Sequence, residues 1–421
     1  EDLALRPAAP GEHLAAPAPL PLGGAGGACG GVAAASAFFR KDEEFGLPKA
    51  ACAFILHCPF SSESVEHRTL AELWAQAVQE ELNEFAYEAQ VAGLSYSLQA
   101  TASGLMLSFG GYNDKLPALL RAVAGKMAGL SEVPEQTYAI VRTVAERNLV
   151  HAATRSPPYQ QAFLLERCLL GRPAHAPAER LAALRSVAGR GRLSGVNRRL
   201  LDRCHVECLL QGNLVSEEAR GLVRSFLEPL GIAEALEELP ASGTAALPEG
   251  WTLLEREGTN PEERNGAVVV MLQAAEYSLE MKCLAELAGQ VLGQRFFDEL
   301  RTKQQLGYIV NASAFAETHA FVGLRLTVQS ERDPDEVLSR VRSWAADAWD
   351  FLAEGLGRAE FEEYRASLAS QIRERPKSLN EEFGWNWAEV AARSYMFERR
   401  EQEARCLDGL RLEDLRHFAA E

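Results

Sequence analysis

The chain lacks the spacing that would hold a metal on a helix. Its eight histidines stand at 13, 57, 67, 151, 175, 205, 319 and 417, and no two are arranged as His-x-x-x-His or His-x-x-Glu-His. Either spacing would set two imidazoles on one helical face beside a carboxylate. The nearest string, ESVEHR at 63–68, has Glu63 where the first histidine would be. Glu66 and His67 are therefore read as capping or solvated residues of a helix start. Cys204, His205 and Cys208 look metal-like on paper, but a strand turns 204 and 208 to one face and 205 to the other.

Other absences narrow the function further. There is no Gly-x-Ser-x-Gly elbow and no cysteine in a His-paired context, so nucleophilic catalysis has no carrier. The glycine-rich run GGAGGACGG at 23–31 has no lysine-serine ending and no preceding strand, which excludes a phosphate loop. None of the eight cysteines forms a CxxC pair, and their density is far below that of a disulfide scaffold. A reducing compartment is expected, cytoplasmic, with a mitochondrion or another organelle left open. No apolar run approaches the roughly 18 residues of a membrane span. No charged and apolar leader of a secretory signal is present at the start. The first residue is Glu1 rather than methionine, and the expectation is a processed chain or part of a longer gene product. Acidic residues outnumber basic ones 59 to 43, for a net charge of -16, so nothing here neutralises a phosphate backbone and nucleic acid is excluded as a partner.

What is present is a globular composition, 47% hydrophobic and 24% charged over 421 residues, enough for two or three domains of roughly 150 residues each. Residues 7–36 are rich in Pro, Ala and Gly and read as a linker. Ordered structure is expected from about Phe38. AACAFILHCP at 50–59 reads as a buried strand. Leu70, Leu73, Trp74, Ala77, Val78, Leu82, Phe85 and Ala89 follow helical spacing. Alternation at Leu94, Tyr96, Leu98 and again at Leu105, Leu107, Phe109 predicts a hairpin through Ser103-Gly104. Helical sequence continues to about 200, and CHVECLLQGN at 204–213 reads as a closing strand.

The second half repeats this order. GAVVVMLQA at 266–274 is a strand, 277–292 is helical, and strands are predicted at about 307–315 and 321–329. Asp333-Pro334 with Glu336 predicts a capped helix start, and Gly355 its stop. GLSY ending at Tyr96 matches QLGY ending at Tyr308, 212 residues on. The expected fold is therefore α+β: two homologous domains, each an antiparallel sheet with helices packed on one face. The Pro- and Gly-rich stretch 229–250 includes the boundary.

One stretch concentrates chemistry. In FFDELRTKQQLGYIV, 296–310, an amphipathic helix ends in Arg301 and a strand begins near Tyr308, with Gly307 between them. Arg301 could pair with a carboxylate or a peptide carbonyl. Tyr308 could donate its hydroxyl to a developing oxyanion. Gly307 would let the backbone turn sharply. The plain alternative is an arginine on a solvated helix end and a tyrosine in a sheet core.

LRTKQQLGYIV at 300–310 closely resembles the Arg-to-Tyr signature in the C-terminal half of the inverzincin metallopeptidases, the insulinase or pitrilysin family. FRKDEEFGLPKA (39–50), ELNEFAYEAQVAGLSYSLQA (81–100), GYNDKLPALL (111–120), CLLQGNL (208–214) and RPKSLN (375–380) follow in the expected order. The resemblance implies four α+β domains paired into two bowl-shaped halves that close like a clamshell around a peptide. The chain would supply the third domain (37–235) and the fourth (236–421), with 1–36 as the hinge. Zinc would be bound by His-x-x-Glu-His in the N-terminal half of the full enzyme, which is the implied partner together with peptide substrates; homodimerisation is left open, and no membrane is implied. By position, Tyr308 would hydrogen-bond the scissile carbonyl or its tetrahedral intermediate, Arg301 would hold substrate backbone, and Phe297 would line the substrate pocket. Arg375 and Lys377 lie in ERPKSLN (374–380), which resembles a segment linked in animal members to nucleotide or polyanion binding; a solvated basic pair at a helix terminus is the alternative. The rival to a peptidase half is a non-catalytic scaffold or binding subunit of the same fold.

Overall fold

The computed structural model describes residues 16–22, 35–187, 189–239, 243–317 and 320–420. Twelve strands occur among them. The first seven are β1 (Ala18–Pro19), β2 (Ala35–Lys41), β3 (Lys49–His57), β4 (Ser95–Thr101), β5 (Gly104–Tyr112), β6 (Gly171–Arg172) and β7 (Arg203–Gly212). Then come β8 (Glu234–Ala235), β9 (Gly243–Thr244), β10 (Gly266–Glu276), β11 (Ile309–Glu317) and β12 (Phe321–Ser330). The chain divides into two compact units. The first takes Glu1–Leu149, Pro177–Ser242 and Pro376–Phe397; the second takes Val150–Ala176, Gly243–Arg375 and Glu398–Glu421.

In the first unit the sheet order is β1-β2-β7-β3-β5-β4, with β8 beside β7. The pairs β7–β3, β3–β5 and β5–β4 are antiparallel, whereas β2 and β8 run parallel to β7. β1 lies inside the stretch read from composition as a linker. Pro19 is tolerated there because the strand is at the sheet edge. Leu20 anchors it, burying its side chain and donating its N–H to Ala37 O at 2.7 Å.

Alternation along β7 explains how both faces of this sheet are used. Cys204, Val206, Cys208 and Leu210 point into the main core with Phe54, Trp74, Leu107 and Phe226. The helix Val65–Glu81 supplies Trp74, whose indole N–H donates to Leu130 O at 3.1 Å. Its start is capped by Ser64, which accepts the His67 N–H at 3.1 Å, so Glu66 and His67 do sit at a helix beginning. The opposite face of β7 presents Glu207 and Gln211, yet both are buried. The helix Leu379–Ala391 and the residues just after it, far along the sequence, cover them: Asn386 Nδ2 donates to Gln211 Oε1 at 2.9 Å, and Arg393 and Tyr395 reach Glu207.

The second unit repeats the inner part of this plan with fewer strands. Its sheet order is β10-β12-β11, fully antiparallel. Second strand at the edge and third in the middle is also the arrangement of β3-β5-β4. The helix Leu279–Phe296 begins at Ser278, which accepts the Met281 N–H at 3.1 Å, as Ser64 does for its own helix. Cys283, Leu284, Leu287, Ala288, Val291 and Leu292 bury its apolar stripe against Val322 and Leu324. Gly289 lies so close to β11 that a Cβ there would stand 2.8 Å from Ala314 N, which is why a small residue is needed. On the other face, Arg325 of β12 pairs with Glu166 of the helix Pro158–Leu170, between the rings of Phe163 and Phe315. Asp333 caps the helix Pro334–Asp350 through the N–H groups of Asp335 and Glu336, as its sequence predicts.

Candidate functional site

The helix Leu279–Phe296 does not simply stop. It widens into a π-type turn over Phe297–Lys303, a form found mostly at functional or strained places in helices. Leu300 is buried and anchors the turn, and its carbonyl accepts the Leu306 N–H at 2.9 Å. Gln305 then takes φ 52, the left-handed region that a side chain normally avoids. Gly307 is therefore not the source of the sharp turn. Its need for glycine is a close approach: a Cβ would lie 1.8 Å from Gln329 O of β12. Ser330 closes the loop by donating its hydroxyl to Leu306 O.

This loop brings Phe297, Arg301 and Tyr308 together. Arg301 Nη1 donates to Gly307 O at 2.7 Å and to Tyr308 O at 2.6 Å. Its guanidinium carbon stands 4.7 Å from the centre of the Tyr308 ring and 5.6 Å from that of Phe297. Cation–ring contacts at exposed sites contribute about 0.5–1 kcal/mol each. Tyr308 is 83% exposed and Phe297 39%. So Tyr308 is not a sheet-core tyrosine, and Arg301 is not merely solvated. The arrangement offers a phenol O–H to solvent from a backbone that its neighbour holds in place. Such a donor suits a carbonyl or an oxyanion.

Arg375 and Lys377 are both exposed, in the turn after the helix Arg358–Ile372. The Lys377 N–H donates to the Glu381 carboxylate at 2.7 Å, beside the N-cap Ser378. Cys204 and Cys208 face the core while His205 points the other way, as strand alternation requires. Among the described residues no group of three His, Cys, Asp or Glu converges to hold a metal ion. A zinc ion therefore finds no fitting ligand set in them.

A second polar cluster, in the first unit, escaped the reading of the sequence. Glu207 accepts from His57 Nε2 at 2.6 Å and from the Tyr395 hydroxyl, with Arg393 Nε 3.5 Å away. Arg393 Nη2 also lies 3.0 Å from His57 Nδ1. Burial pushes the Glu207 carboxyl up, but the hydrogen bonds from His57 and Tyr395 and the nearby positive charge outweigh it and hold the group below its ordinary value. Arg393 and Tyr395 reach the cluster from a backbone with φ 54 and φ 50. The signal in the sequence was two polar residues, Glu207 and Gln211, within the apolar stretch 206–210 and its end.

Two family profiles match parts of the chain. Residues 33–183 match the profile of the middle or third domain of peptidase M16, and residues 287–387 match that of the C-terminal lobe domain 4 of PqqF-like PQQ synthase. Human insulin-degrading enzyme is 32% identical over 91% of this chain. The chain belongs to the insulinase family of peptidases. It spans 38% of the human relative's length and 40% of that of the Arabidopsis thaliana relative named insulin-degrading enzyme-like 1, peroxisomal, which is 29% identical over 90% of the chain. The crystal structure of pitrilysin superposes on all of this insulinase-family chain, using 43% of its own, with TM-score 0.87 and 20% identity. A peptidase M16 inactive domain from Pseudomonas fluorescens gives TM-score 0.65 over 91% of the chain and 92% of its own, at 16% identity.

Proposed function

We propose that this chain is the substrate-contacting, metal-free half of an insulinase-type zinc endopeptidase that cuts peptides and small unfolded proteins in a closed chamber. Residues 37–235 and 236–421 then act as its third and fourth domains, and its partner is the remainder of the same protein, which would carry the zinc. The observation that carries the reading is the loop 297–308: an exposed phenol, a cation against its ring, and a half-exposed phenylalanine beside them. Tyr308 donates its O–H to the carbonyl oxygen of the bond being cut, more strongly as charge develops on it. Arg301 holds the backbone that carries Tyr308 and presents the rest of its fork to a substrate carbonyl. Phe297 offers an apolar surface to a substrate side chain. Arg375 and Lys377 are proposed to contact polyanions or nucleotide phosphates. The relative from Schizosaccharomyces pombe named "Putative zinc protease mug138" is 28% identical over 90% of this chain and supports zinc in the whole enzyme. Scattered cysteines with no CxxC pair favour the cytoplasm or another reducing compartment.

The test is Tyr308→Phe in the enzyme reassembled from this chain and the rest of the protein. Turnover of a quenched fluorescent peptide should fall roughly 100- to 1000-fold with the unfolding transition unchanged. Unaltered turnover would remove Tyr308 from the reaction. The same assay decides for the scaffold alternative if the reassembled protein cuts nothing and carries no zinc. This chain alone is expected to be inactive.

A further inference from the structure

Gln305 holds φ 52 while its own side chain is exposed, so its left-handed backbone is imposed by what surrounds it. A side chain stays in that region only where its neighbours over-determine the chain path. Both neighbours of Gln305 are held in that way. On one side, the Gln304 N–H donates to Glu299 O at 2.9 Å. The Gln304 side chain donates to the Glu299 carboxylate at 3.2 Å and accepts from Arg340 Nη1, also at 3.2 Å. On the other side, Leu306 is buried and donates its N–H to Leu300 O at 2.9 Å.

The Leu306 carbonyl is taken by Ser330, the buried last residue of β12. The Ser330 hydroxyl donates to Leu306 O and accepts the Arg332 N–H at 3.0 Å, so both its roles are occupied. Gly307 comes next and fits because Gln329 O and the Ser330 Cα stand where a Cβ would be. Tyr308 follows at once. Arg301 holds the carbonyls of Gly307 and Tyr308, and Ser330 holds the carbonyl before them.

We propose that Ser330 is a positioning residue: its buried hydroxyl fixes the turn at Gln305 and thereby the place from which Tyr308 presents its O–H. Ser330 acts through the loop and not on the substrate. Its removal leaves a buried carbonyl without a partner, and the turn then relaxes towards an ordinary backbone. A phenol displaced by about 1 Å no longer meets the oxygen on which charge develops, which costs turnover rather than binding. This role rests on the part proposed for Tyr308 in the reaction, and the two are tested separately.

The first experiment needs only this chain. Amide hydrogen exchange is read over residues 304–308 in the unaltered chain and in Ser330→Ala. The variant should exchange there roughly 10-fold faster or more, while the helix Leu279–Phe296 keeps its protection. Equal exchange in the loop would overturn the proposal whatever Tyr308 does. The second experiment uses the reassembled enzyme and a quenched fluorescent peptide. Ser330→Ala should lower kcat roughly 10- to 100-fold with KM nearly unchanged. Ser330→Thr keeps the hydroxyl and should recover most of the loss. In a Tyr308→Phe background, Ser330→Ala should cost almost nothing more, because the group it positions is gone. An equal fall of kcat in both backgrounds, or a rise in KM alone, would make Ser330 a structural residue and overturn the proposal. If Tyr308→Phe alone loses nothing, the part given to Tyr308 fails, and the exchange result decides whether Ser330 holds the turn.

Discussion

Tyr96 and Tyr308 stand at corresponding points of two units that share strand order, and their surroundings are opposite. Tyr96 lies within β4, half-buried near the Phe109 ring, and burial pushes its phenol up to about 12. Tyr308 stands just before β11, exposed, with a guanidinium against its ring. The local words GLSY and QLGY are almost the same. The difference lies upstream. Before Tyr96 the helix Asn83–Val91 ends at Gly93 with φ 78; before Tyr308 it widens, Gln305 turns left-handed and Arg301 reaches forward to the loop carbonyls. A duplicated framework thus keeps its sheet while a few residues at one helix end turn a packing tyrosine into a presented one.

The comparison sharpens most at the polar groups of the two units. Glu207→Ala leaves His57 and Arg393 beside an uncompensated buried site and should cost about 3–5 kcal/mol in urea unfolding. Glu166→Ala, whose partner Arg325 is partly exposed, should cost less, about 1–2 kcal/mol. Equal losses would erase the contrast between a sealed cluster and a half-open one. Next in size is Gly307→Ala. Its Cβ would overlap the backbone of β12, and a loss of about 3 kcal/mol is expected by thermal unfolding. Gly125→Ala, with open space around its Cβ in the helix Leu116–Gly129, should instead gain up to about 1 kcal/mol. Tyr96→Phe should leave peptide turnover of the reassembled enzyme unchanged, in contrast to Tyr308→Phe; a comparable fall would show that the two phenols are not functionally distinct. The smallest effects test the shared helix starts. Ser64→Ala and Ser278→Ala should each cost about 1 kcal/mol, and unequal costs would mean that the two caps are alike only in geometry.

Acid should act on the first unit through Glu207. Its carboxyl is held below its unfolded value, so its contribution is present above about pH 4.3 and is lost as pH falls through the lower folded value. Glu207→Gln should flatten that part of the stability–pH curve, which chemical denaturation at a series of pH values would read.

Much of this fold was legible because its signals are local. Alternation located β4, β5 and β12, helical spacing located the helix Val65–Glu81, and an apolar run located β3. Asp333-Pro334 announced its helix outright. Arg301 and Tyr308 were picked out by residue type and by resemblance; the contacts of Arg301 with the Phe297 and Tyr308 rings depend on the π-type turn and on Gln305, neither of which leaves a compositional trace. The parallel runs of β2 and β8 beside β7, and the covering of Glu207 and Gln211 by residues 379–395, join residues far apart in sequence, where periodicity carries no information.

That last connection bears on how the protein is made. As the polypeptide leaves the ribosome, β3 and β7 are complete long before Pro376–Phe397 has been translated. Until then Glu207 and Gln211 remain hydrated on an open sheet face, and the first unit waits for a piece encoded nearly two hundred residues later. No single cut can therefore release either unit whole, and separating them calls for circular permutation or for supplying that helix in trans.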